Sequence, residues 1–259
     1  KEGFMKKILF FIFFIFITNS FVFASEYEDP VSLYKDNYFI IGDKDDQTKF
    51  QISLKYNLIY PSKLGFFAGY TQKSFWKTYD NSSPFYETNY EPEIFYQFIS
   101  GNNIFGNIQI PLIDYIQISP AHHLSNGRDR EASRGINTYY SEVQFSYGDI
   151  YNIGFNIKYF NYYNLSSKNK DYNDYRKNYE SKIFFKIKSK NVKYLDKEEI
   201  SCRFSGNPID KGFFEVTGKV RIITTYFQPK IYIQYWQGYG EFLIDYNVKE
   251  KRFRVGISY

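Results

Sequence analysis

From Tyr38 to the C-terminus, apolar and polar residues alternate with a period of two, in runs broken by turn-forming residues. Phe50, Ile52, Leu54 and Tyr56 form one such series, and Phe253, Val255, Ile257 and Tyr259 form the last. The pattern predicts strands over 37–42, 49–57, 65–76, 91–99, 107–122, 137–147, 150–162, 178–189, 193–204, 212–222, 226–240 and 252–259, twelve in all. Each has one greasy and one polar face. No internal repeat points to a propeller or a solenoid.

Many evenly spaced strands fit either a soluble sandwich or a membrane barrel. The N-terminus favours the barrel. Met5 is followed by Lys6 and Lys7, an apolar run from Ile8 to Ile17, and Phe-Val-Phe-Ala ending at Ala24. That order is a secretory signal peptide over residues 1–24, with residues 1–4 ahead of the expected start, and its apolar core is too short to span a bilayer. Residues 25–36 are polar and read as a periplasmic tail, leaving 37–259 for the barrel. The exported chain has a single cysteine, Cys202, so no internal disulfide supports it.

Composition points the same way. The chain is 22% aromatic, with 28 Tyr and 28 Phe, yet its mean hydropathy is only -0.49. Aromatics gather at run ends, where an interfacial girdle belongs, and the last strand ends on Tyr259. An open sheet edge in hydrocarbon would leave backbone groups unpaired, so the strands must close on themselves. The expected fold is therefore all-β, a twelve-stranded antiparallel transmembrane β-barrel of a bacterial outer membrane. Its even strand count places both termini on the periplasmic side. The connections 60–64, 100–106, 148–149, 190–192 and 223–225 then face the periplasm. The longer, more charged 43–48, 77–90, 123–136, 163–177, 205–211 and 241–251 face outward. Residues 166–181 read as a mobile outer loop without chemistry. The net charge of +5 is spread along the chain and includes Lys6 and Lys7, which gives no sign of a nucleic-acid partner.

Candidate chemistry lies in Pro120-Ala121-His122-His123-Leu124-Ser125-Asn126-Gly127-Arg128, which holds the only two histidines. His123 and Ser125 are two apart and share a face of an extended chain. A hydroxyl beside an imidazole is the minimal activated nucleophile; the alternative is two residues that merely share a loop. Asn137 begins the neighbouring strand, and its amide oxygen could accept from one ring nitrogen and leave the other free to take the serine proton.

These segments resemble the outer-membrane phospholipase A family. So do Tyr70-Thr71-Gln72-Lys73-Ser74, Ser82-Ser83-Pro84-Phe85 running on through Glu87-Thr88-Asn89-Tyr90-Glu91-Pro92, Ser133-Arg134, and Gly238-Tyr239-Gly240 with Leu243-Ile244-Asp245-Tyr246-Asn247. The resemblance implies a barrel that hydrolyses phospholipid acyl esters, requires calcium (Ca2+) and acts as a homodimer. Ser125 would be the nucleophile, His123 the general base and Asn137 the group orienting it. The Gly127 N–H would help hold the oxyanion. Calcium would be bound by Ser133 and the Arg128 carbonyl, with Ser82 donated by the partner subunit, and water would complete its shell. Gln72 matches a residue of the dimer interface, although a glutamine buried inside the barrel is the plainer reading. The competing functions are a non-enzymatic barrel, a narrow pore or adhesin, and an esterase of soluble substrates.

One departure concerns parity. Ile108, Ile110, Leu112, Ile116 and Ile118 are even-numbered, whereas His123 and Ser125 are odd. A bulge near Ser119-Pro120 would bring the site to the lipid-facing side, and proline is tolerated there. Otherwise the even residues fill the lumen.

Overall fold

The structure is a computed structural model that describes residues 30–43, 47–60, 65–99, 110–188, 196–221 and 229–259. The leader, residues 25–29 of the tail and the start of the strand expected at 107 lie outside these. The strands are β1 (Val31–Leu33), β2 (Tyr38–Ile41), β3 (Thr48–Asn57), β4 (Phe66–Trp76), β5 (Phe85–Ile99), β6 (Ile113–Ser125) and β7 (Gly135–Tyr147), followed by β8 (Tyr151–Tyr163), β9 (Tyr179–Lys188), β10 (Asp196–Asn207), β11 (Lys211–Arg221), β12 (Lys230–Tyr239) and β13 (Lys249–Ser258). Every neighbour pairs antiparallel, and β13 returns to β2 with Val255 opposite Ile41 and Ser258 opposite Tyr38. The short β1 pairs on the same edge of β3 as β2, so the two form one interrupted strand and the wall is a closed twelve-stranded barrel. No helix among the described residues is long and apolar enough to cross a membrane.

All twelve predicted strands are present, with shifted ends. β5 starts at Phe85, which shortens the outer loop expected at 77–90. β6 runs on through Ser125 and β7 begins at Gly135, so most of the chemistry expected in a loop sits on strand ends. The connection expected at 100–106 lies outside the described residues.

Two corrections concern segments read as unstructured. Residues 31–36 are not a free tail. Val31–Leu33 extend the wall, and the chain then turns into the lumen. There Tyr34 stacks on Phe95 at 4.8 Å, Lys35 pairs with Glu91 at 3.2 Å and Glu93 at 3.1 Å, and Asp36 meets Lys219 at 2.8 Å. The stretch 166–181 is not a mobile loop either. It contains a 3-10 turn, Ser167–Asn169, and the helix α1 (Tyr172–Arg176), and it leads into β9. Tyr172 packs with Ile136, Leu243 and Tyr246 in a buried cluster joined by Leu124.

Side chains sort by face as the alternation requires. In β8, Tyr151, Ile153, Phe155 and Ile157 are exposed on the outer wall, while Asn152 and Asn156 between them are buried. Inside, charges are paired: Lys158 with Glu142 at 3.0 Å, Arg203 with both Glu180 and Glu215 at 3.0 Å, and Lys182 with Glu199 at 2.6 Å. Buried ions need such partners, because an unpaired charge in a low-dielectric interior is strongly destabilising.

Candidate active site

The parity problem is resolved within β6. Its register against β7 shifts between Ser119 and His122, and β5 shows the matching shift between Ile94 and Tyr96. Pro120, which has no N–H to give a ladder, lies inside this bulge. Before it Ile118 points outward, half exposed, and Gln117 is buried. After it the faces exchange. His122 turns inward, its Nδ1 2.8 Å from the Thr138 hydroxyl and its Nε2 4.0 Å from Glu91. His123 and Ser125 therefore take the outer wall.

His123 stands directly opposite Asn137, and Ser125 opposite Gly135. His123 Nδ1 lies 2.8 Å from Asn137 Oδ1. An amide oxygen can only accept, so Nδ1 carries the proton and, in the neutral ring, Nε2 keeps its lone pair. The Gly127 N–H donates to Ser125 Oγ at 3.2 Å. Gly127 has φ of +59°, and a Cβ there would lie 2.7 Å from the Tyr90 ring, so the turn requires glycine.

The loop from Asn126 to Arg134 is held by Asn126, a residue that the sequence reading passed over. Its side chain is buried; Nδ2 donates to the Ala132 carbonyl at 2.8 Å, and Oδ1 accepts from the N–H of Arg134 at 2.9 Å and of Arg128 at 3.3 Å. The available signal was the Asn126-Gly127 pair, a common turn sequence. The Arg128 guanidinium donates to the Tyr86 carbonyl.

Arg128 and Ser133 thus sit on one braced loop. Ser82 is exposed in a different loop, 77–84, with φ of +62°, and among the described residues it makes no hydrogen bond to Arg128 or Ser133. No cluster of three or more His, Cys, Asp or Glu suited to a metal exists among the described residues. Arg128 and Ser133 offer carbonyl and hydroxyl oxygens, donors that suit a hard cation whose remaining ligands are water.

Gln72 lies on the outer face of β4, not inside the barrel. Its neighbours Thr71 and Lys73 face the lumen, Thr71 bonding to Ser53 at 2.7 Å and Lys73 pairing with Glu91 at 3.6 Å. Gln72 accepts from the Tyr70 hydroxyl at 3.2 Å and donates to Ser74 Oγ at 3.4 Å. The register places Ile52, Gln72, Tyr90, Ser125 and Gly135 in one row across five strands.

The family model for phospholipase A1 matches residues 12–259. The chain belongs to the phospholipase A1 family. It is thus a phospholipase, and its barrel belongs to a bacterial outer membrane. Phospholipase A1 of Salmonella typhimurium is 31% identical over 222 residues, which cover 83% of this chain and 70% of that protein. Among solved structures, the chain is similar to the Salmonella typhi outer membrane phospholipase, a dimer with bound calcium, with 25% identity and a TM-score of 0.69 over 90% of this chain and 94% of that one. It is also similar to outer membrane phospholipase A from Escherichia coli, with 26% identity and a TM-score of 0.68 over 88% and 93% of the two chains. In this phospholipase A1 family member His123 and Asn137 face each other across β6 and β7, with Ser125 two residues on from His123.

Proposed function

We propose that this phospholipase hydrolyses acyl esters of phospholipids from the outer leaflet by a Ser125–His123–Asn137 mechanism that depends on calcium and on a homodimer. The observation that carries the reading is the 2.8 Å contact between His123 Nδ1 and Asn137 Oδ1, on the lipid-facing wall and in strand ends that also hold Ser125. His123 Nε2 takes the proton of Ser125 Oγ as that oxygen adds to the ester carbonyl. The Gly127 N–H turns from Oγ to the developing oxyanion. The imidazolium then returns its proton to the departing lysophospholipid oxygen. Water, deprotonated by the same imidazole, cleaves the acyl-serine and releases the fatty acid.

Arg128, through its carbonyl, and Ser133, through its hydroxyl, would hold calcium together with Ser82 of the partner subunit and water. Bound there, the ion would supply positive charge beside the oxyanion. The row that carries Gln72 also carries Ser125, so a partner seated on Gln72 would lie against the reaction centre. A polar amide on a wall meant for lipid also favours a protein-covered face over hydrocarbon.

Ser125→Ala tests the reading. The variant should keep the heat-dependent gel shift of a folded barrel and release no fatty acid from phospholipid micelles above background. Release at the wild-type rate would refute the mechanism. The non-enzymatic pore is not favoured by the lumen, which Tyr34 and Lys35 enter from one end and Tyr172 and Leu243 cover at the other.

A further inference from the structure

The loop between β8 and β9 reaches the back of the reaction centre through one fully buried side chain. Asn169 ends the 3-10 turn, and its Nδ2 donates to the Gly135 carbonyl at 3.1 Å. Its Oδ1 accepts from the Ser166 hydroxyl at 2.5 Å, and its N–H donates to the Ser166 carbonyl at 3.1 Å. The amide is thereby fixed in one orientation, with its donor aimed at Gly135. Gly135 is no ordinary neighbour. It lies opposite Ser125, its Cα side is 3.6 Å from His123 Cε1 by the position a Cβ would take, and it leads the strand that carries Asn137.

Two further contacts bind the same loop to the same centre. Lys168 Nζ donates to the Arg130 carbonyl and pairs with Glu131 at 3.5 Å, on the loop that holds Arg128 and Ser133. Tyr172 packs in the cluster with Ile136 and Leu124, the residues that alternate with the site on the inner face. Gly135 has no side chain with which to hold itself, so its position is set from outside.

We infer that Asn169 is a positioning residue for the hydrolysis, acting through the Gly135 carbonyl to hold Asn137 and Ser125 in register with His123. The inference rests on the triad proposed above. A displacement of about 1 Å at reacting groups can cost about 100-fold in rate. Loss of the Asn169 donor should therefore lower kcat by about 10- to 100-fold while KM, set by lipid contacts elsewhere on the wall, stays within about twofold.

The test uses the full-length protein in detergent micelles, with Asn169→Ala and Asn169→Asp. The second keeps the shape but sets a carboxylate oxygen, which when ionised accepts and cannot donate, against the Gly135 carbonyl. The serine of each is labelled to completion with a radioactive sulfonyl fluoride, and Ser125→Ala supplies the blank. Turnover is then expressed per labelled serine, so unfolded protein drops out of the measurement. A fall of at least tenfold per labelled site in both variants, with KM unchanged, supports the positioning role. Turnover per site within twofold of wild type, with fewer sites labelled, means that Asn169 only helps the barrel fold and overturns it. Full activity in Ser125→Ala would remove the triad itself, and the inference with it, whatever the Asn169 variants do.

Discussion

Replacing Asn137 by alanine gives the sharpest quantitative check on the proposed roles. The substitution removes the acceptor 2.8 Å from His123 Nδ1 and leaves Ser125 and the base in place. Before reaction the bond is between neutral groups and contributes about 0.5–1.5 kcal/mol net. In the transition state the imidazole is charged, and hydrogen bonds to charged groups contribute about 1.5–3 kcal/mol. Only the difference, about 1–2 kcal/mol, appears in kcat. At a factor of ten per 1.36 kcal/mol this is about a 5- to 30-fold loss. The assay is the initial rate of fatty-acid release from short-chain phospholipid micelles, with kcat and KM separated. Loss of the ground-state bond predicts a fall in unfolding free energy of about 0.5–1.5 kcal/mol. A loss beyond a thousandfold would mean that Asn137 does more than orient the base, and an unchanged kcat would mean that it does not orient it.

Other outcomes follow from neighbouring geometry. Gly127→Ala forces a side chain into a left-handed conformation, about 1–2 kcal/mol, and into the Tyr90 ring; activity should fall, and Tyr90→Ala in the same chain should recover the clash but not the backbone strain, as read by kcat of the single and double variants. Chelation with EDTA should abolish fatty-acid release while circular dichroism stays constant, and calcium should restore it where magnesium, which dehydrates reluctantly, does not; activity indifferent to chelator would exclude the cation. Glu241→Gln removes the buried negative charge that Lys49 and Arg254 approach at 3.0 and 2.9 Å, and should lower stability by about 3–5 kcal/mol in urea unfolding. Burial pushes the Glu241 carboxyl up, but the Lys49 ammonium and the Arg254 guanidinium outweigh it and hold it down at about 2. Its folded value is thus below its unfolded one of about 4.3, so its stabilisation is complete above pH ~5 and is lost as pH falls toward 2; a wild-type acid transition unchanged in Glu241→Gln would contradict this.

The wall was legible because each strand faces lipid on one side and polar lumen on the other, and that contrast is written locally in every run. The bulge was legible only in part. The parity change on either side of Pro120 is met by an extra residue or by even residues that fill the lumen, and it is the register shift between Ser119 and His122 that decides for the bulge. The lumen was not legible. Nothing in Tyr34-Lys35-Asp36 marks a polar tail from one that enters a barrel, since their partners Glu91, Glu93, Phe95 and Lys219 are far along the chain. The same holds for 166–176, whose polar composition suggests solvent although Asn169 and Tyr172 are buried. At the site, the His123–Asn137 pairing follows from a hairpin, which spacing can suggest. The bracing by Asn126 depends on a loop closing back on itself, which only the Asn-Gly turn hints at.

Closure of the cylinder is uneven in a way that bears on how it breathes. β13 pairs along its whole length with β12 but meets β2 only from Val255 to Ser258. Amide protons should exchange early along this brief joint, where only four residue pairs hold β13 to β2 among the described residues. It lies nearly across the cylinder from the β6–β7 hairpin. Fraying there can relieve stress from a deforming bilayer while His123, Ser125 and Asn137, on the far flank, keep their spacing.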